Sequence, residues 1–180
     1  MDGMLTFEEK VLIPHGANPV EEIDKDTFRE VAQILNGQNL LTSYGEDGIT
    51  SYVLFGSSES LLVISSREPH ARLGNGVLFR LFLPPEVIPS DMEINGNLVL
   101  DMNTDEATAW LTGHCLGSWC LGPVGSGRFT PTYVSFMPAF ACAPEVIVNT
   151  VFSMLGHNTW AEGYFFAYDR VKQKRTPIKS

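Results

Sequence analysis

Thiols and imidazoles are the side chains best placed to do chemistry in this chain. Gly113-His114-Cys115 is followed by Cys120 with four residues between the cysteines, and Cys142 stands fifteen residues before His157. A zinc site needs two pairs of ligands, each on a short turn. Here only one pair exists, so a metal centre is not expected. Cys120 and Cys142 read instead as small hydrophobes, one on a strand and one near a helix end. A thiol nucleophile needs a thiolate and a base brought close in space. Cys115 or Cys120 would have to meet His157, His70 or His15 in the fold, which defines an alternative reading as a small enzyme or ligand-binding domain with a thiol/histidine pocket.

The remaining motifs carry less. The carboxylate pairs are Glu8-Glu9, Glu21-Glu22 and Asp105-Glu106. The last sits at an expected helix start, where acids favour the dipole, and the others are solvated charge. Gly74-Asn75-Gly76 and Gly125-Ser126-Gly127 are not phosphate loops, because no lysine follows and no helix opens there. They read as hairpin turns. No Gly-x-Ser-x-Gly elbow exists. No catalytic residue and no cofactor are expected.

The chain has 180 residues, 44% of them hydrophobic and 18% charged, which suits one domain with a sizeable core. Its formal charge of -9 argues against nucleic acid or an acidic membrane surface as partner, since both attract clustered cations. It also permits a third reading, an acidic inhibitor or immunity-type protein steered toward a basic partner. Three cysteines do not make a disulfide scaffold. The acidic first residues lack the features of a secretory signal, and no apolar run approaches a bilayer crossing. A cytoplasmic protein with free thiols is expected. The charges divide the chain into an acidic arm (1–24), a body (25–169) with arginine as its only base apart from Lys25, and a basic tail (170–180).

A helix is expected over 26–36, with Thr27 and Glu30 at capping-box spacing and Phe28, Val31, Ala32 and Leu35 on one stripe. Strands follow at 40–44, 49–55 and 60–66, separated by glycine turns. The unalternating Leu61-Leu62-Val63-Ile64 suggests a strand covered on both faces. A strong strand at 77–83 ends at Pro84-Pro85. Asn95-Gly96 reads as a turn before a strand at 97–100, and a second helix is expected from Asn103, with Ala107, Trp110 and Leu111 on one face. A strand at 119–121, cut short by Gly122-Pro123, and another at 128–137 precede a helix opened by Pro144 and running toward Tyr164. Strands broken by single helices describe an α+β fold, an antiparallel sheet with about three helices packed on it.

Two segments carry a resemblance. One runs from Ser43-Tyr44-Gly45-Glu46-Asp47-Gly48-Ile49 to Leu61-Leu62-Val63-Ile64. The other comprises Ala109-Trp110-Leu111 through Leu116-Gly117-Ser118-Trp119, then 128–137 and 144–155. Order and spacing resemble the YbjN family, small bacterial sensory-transduction regulators with a type III secretion chaperone-like fold. The resemblance covers roughly half the chain and departs from the family pattern at Gly113-His114-Cys115-Leu116-Gly117. It implies a non-enzymatic protein-interaction module, a chaperone-like or regulatory adaptor, binding another protein or itself as a homodimer. The expected partner-binding residues are Phe79, Leu81 and Leu83 on the apolar strand, a pairing surface if that strand is an edge, and Trp160 and Phe165 in the aromatic last segment.

Overall fold

Asp24 opens the first helix, α1 (Lys25–Gly37), by accepting from the Thr27 amide at 2.7 Å and the Thr27 hydroxyl at 2.9 Å. Thr27 is therefore the third residue inside the helix and not its cap. These amide and hydroxyl donors hold the Asp24 carboxyl below its ordinary value. Phe28, Val31, Ala32 and Leu35 form the buried stripe as the spacing required. The structure is a computed structural model and describes residues 23–55, 60–67, 69–70, 72–84, 88–89, 91–104, 117–124 and 128–175.

Six antiparallel strands follow: β1 (Leu41–Tyr44), β2 (Thr50–Phe55), β3 (Ser60–Ser65), β4 (Gly76–Phe82), β5 (Gly117–Val124) and β6 (Arg128–Pro138). They form one sheet in the order β1-β2-β3-β4-β6-β5. The β1–β2 turn is fixed by Gly48 at φ +72° and by Asp47, which accepts from Ile49 N and Thr50 Oγ1 and pairs with Arg67. Its carboxyl would be raised by desolvation, but these donors and the Arg67 guanidinium bring it below its ordinary value.

Two expectations change here. Residues 97–100 are not a strand but part of α2 (Met92–Thr104). Asp91 caps this helix, accepting from Glu93 N at 2.9 Å and Ile94 N at 3.2 Å. Asn95, Leu98, Val99 and Met102 fall at i, i+3, i+4 and i+7 and are buried together. The buried Asn95 is accommodated because its side-chain amide donates to Pro89 O at 2.8 Å. Asn103 consequently ends a helix where one was expected to start, and Ala107, Trp110 and Leu111 lie outside the described residues. Second, β5 does not stop at Leu121 but stays paired with β6 through Gly122, Pro123 and Val124. β5 is an edge strand, which tolerates the donor missing at Pro123. Pro131 of β6 lies one residue past the end of the β4 pairing at Phe82↔Thr132.

A single 3-10 turn (Ala139–Ala141) leads to α3 (Pro144–Arg175). This helix runs past Tyr164 and into the basic segment. Its buried residues Ile147, Val148, Val151, Met154, Ala161 and Phe165 share one core cluster with the stripes of α1 and α2. The sheet contributes alternate residues to the same cluster. One register row reads Val53, Leu62, Leu81, Tyr133 and Trp119 across five strands, and another carries Ile64 and Phe79. The three described helices thus feed one face of the sheet. The α+β class is as expected, and no helix among the described residues is long and apolar enough to cross a membrane.

Candidate interaction surface

Every strand that presents one side chain to the helices presents the next to the opposite face. Three register rows define that open face. The central row is Tyr52, Val63, Arg80 and Val134. On one side lie Leu54, Leu61, Phe82, Thr132 and Cys120, and on the other Thr50, Ser65, Leu78 and Phe136. Leu54, Leu61, Val63, Leu78, Phe82, Val134 and Phe136 are half-buried, Tyr52 and Arg80 are exposed, and Leu41 at the margin is 68% exposed. Aromatic bulk is fitted by backbone: a Cβ on Gly76 would stand 2.4 Å from the Phe136 ring, so only glycine lets that ring lie flat. The His70 ring packs on Phe136 at 4.9 Å and closes one end of the face.

Placement of the expected partner-binding residues differs from the sequence reading. β4 is not an edge strand but lies between β3 and β6. Phe79 and Leu81 have no exposed area, Leu83 is 4% exposed and Phe165 2%, all inside the core. They hold the helices onto the sheet and cannot receive a partner while the protein is folded. Trp160 is half-buried, its ring 5.3 Å from that of Tyr164. The residues that the sequence reading missed are the alternate ones on the same strand, Leu78 and Phe82. Arg80 was the available signal: its charge marks the face it shares with them as the one toward water.

The thiols and imidazoles do not converge among the described residues. Cys120 lies on the open face. His157 of α3 lies on the helix side, buried and stacked on Tyr133 with centroids 4.5 Å apart, and Tyr133 meets Trp119 edge-on at 5.4 Å. The sheet therefore separates Cys120 from His157. The Cys142 thiol donates to Met137 O and Pro138 O at 3.4 and 3.3 Å, and burial pushes it up to about 11. Burial also raises Cys120. Neither thiol is activated as a nucleophile. Cys115, His114 and His15 lie outside the described residues. A shallow groove of about 360 Å³ between α1 and β1 is lined by Arg29, Gln33, Asn36 and Tyr44. Two of these side chains are already engaged: Arg29 pairs with Asp26 at 2.6 Å, and Asn36 holds the Thr42 backbone.

The open sheet face is thus an apolar feature that no described helix covers, although Thr50, Ser65 and Thr132 on its two outer rows are buried. Its geometry is that of a flat platform for apolar contact. No family model matches this chain, and no curated protein or solved structure is significantly similar to it.

Proposed function

We propose that this protein is a non-enzymatic interaction module, an adaptor that docks another polypeptide on the open face of its sheet. One observation carries the reading. The three described helices pack on one side, and the other presents Tyr52, Leu54, Leu61, Val63, Leu78, Phe82, Val134 and Phe136 with no described helix over them. Contiguous apolar surface rimmed by polar residues is where soluble proteins meet partners. Strands β2, β3, β4 and β6, three spacings of about 4.8 Å, make a platform roughly 15 Å wide. With a similar length along the strands, its area is about a quarter of what each partner contributes to a standard-sized interface. That suits a short apolar segment and reversible binding better than a permanent subunit.

The test is a selection from a displayed library of short random peptides against the full chain. Peptides enriched on the wild type are expected to lose binding to Val63→Asp while circular dichroism shows that variant folded. Enriched peptides that bind both proteins equally would remove the platform from the account, as would a selection that enriches nothing.

A further inference from the structure

We infer that the partner segment carries a carboxylate, flanked by apolar residues, that sits on Arg80. This rests on the reading of the open face as a docking platform and adds the chemistry of what docks there.

Arg80 stands in the middle of that platform. Its register neighbours are Val63 on β3 and Val134 on β6, and Leu78 and Phe82 precede and follow it on the same face of β4. Its side chain is exposed, and among the described residues it makes no ion pair and no hydrogen bond. No acidic residue occupies an open-face position in any of the three rows. In a chain with 21 acids against 12 bases, these rows surround one unpaired cation with apolar side chains, and the nearest described carboxylate to their Thr50 end, Asp47, is already paired with Arg67.

Covering that field has an electrostatic condition. The stem of an arginine can lie on apolar surface while its head stays in water. A partner that seals the platform without an anion removes that water and leaves a buried unpaired charge, which weakens binding. A partner carboxylate converts the cost into a charge-assisted, bidentate pair. A second copy packed platform to platform brings no such anion from the described rows: about a twofold axis through the platform it would bring Arg80 toward Arg80, with -9 on each chain. One cation is also too few for a phosphate backbone or an anionic bilayer, which need clusters.

The experiment uses a peptide enriched on the full chain and its Glu→Gln or Asp→Asn analogue, each titrated by fluorescence anisotropy. Against wild type the neutral analogue is expected to bind about tenfold more weakly. Against Arg80→Gln both peptides are expected to bind alike, and against Arg80→Glu a lysine analogue is expected to bind best. Equal binding of the acidic and neutral peptides to wild type overturns the inference. So does a tenfold difference that persists in Arg80→Gln, a dimer of the full chain by light scattering that Val63→Asp dissociates, or flotation of the chain with phosphatidylserine vesicles. Peptides sensitive to Val63→Asp but indifferent to charge would sink this inference alone and leave the platform standing.

Discussion

Asn103 in the last turn of α2 holds the free edge of the sheet by a two-way bond to Trp119: it donates to Trp119 O at 2.8 Å and accepts from Trp119 N at 3.1 Å. Asn36 of α1 does the same at the opposite edge, donating to Thr42 O at 3.0 Å and accepting from Thr42 N at 2.9 Å. Each amide stands in for the missing neighbouring strand, so both edges are blunted against pairing with another chain. On the proposed reading, docking then falls to the open face. Replacing Asn103 by Ala removes two hydrogen bonds and is expected to cost about 1–3 kcal/mol, read from urea unfolding. It should also raise aggregation on heating, because β5 regains a bare edge.

Leu62 and Val63 are adjacent on β3 and face opposite ways, the first with no exposed area and the second half-buried. Leu62→Ala leaves a cavity under the helices and is expected to destabilise by about 2–5 kcal/mol. Val63→Ala removes less area from a surface that is partly wet and is expected to cost under about 1.5 kcal/mol. Peptide binding should respond in the opposite order at temperatures where both proteins are folded. Chemical denaturation and anisotropy on the same two variants check this.

Glycine carries close packing at Gly117, where a Cβ would stand 2.3 Å from Val134 O and 2.8 Å from the Tyr133 ring. Gly117→Ala is expected to destabilise by about 1–3 kcal/mol through overpacking. Gly156, exposed in α3, has nothing within 4 Å of the same position. Gly156→Ala is expected to stabilise by about 0.5–1 kcal/mol through helix propensity. Thermal melts of the two variants should shift in opposite directions.

The Cys142 thiol is moved from about 9 to about 11 by burial, so the folded protein favours its protonated form. Below about 9 both folded and unfolded chains hold that proton and the contribution is fully present. As pH rises toward 11 the unfolded chain releases the proton first, and stability falls. Urea midpoints between pH 8 and 11 are expected to fall more steeply for wild type than for Cys142→Ala. The same shift predicts slow alkylation of Cys142 at pH 8 in the folded protein.

Much of this fold is readable locally. The α1 stripe and strands β1 to β4 follow from apolar period and glycine turns, and their ends lie within a residue or so of the expected ones. Where local signals compete, the reading fails. Asn95-Gly96 looks like a turn, but Asp91 supplies a cap and Asn95 finds Pro89 O, so the helical period wins. Strand order is not local at all. Nothing within 77–83 says that β6 will pair with β4 across a long insertion, so whether this strand is central or an edge is not legible there. The alternation itself, Phe79 and Leu81 against Leu78, Arg80 and Phe82, is plain in the sequence. Which side the helices take is settled only when α1, α2 and α3 pack together.

The platform is tested most directly by methyl NMR during a peptide titration, because adjacent residues on one strand report opposite faces. The methyls of Leu54, Leu61, Val63 and Val134 are expected to shift first and furthest, while those of Val53, Leu62, Ile64 and Leu81 move little. Shifts confined to the core set, or to helix methyls such as Leu98 and Val146, would contradict it.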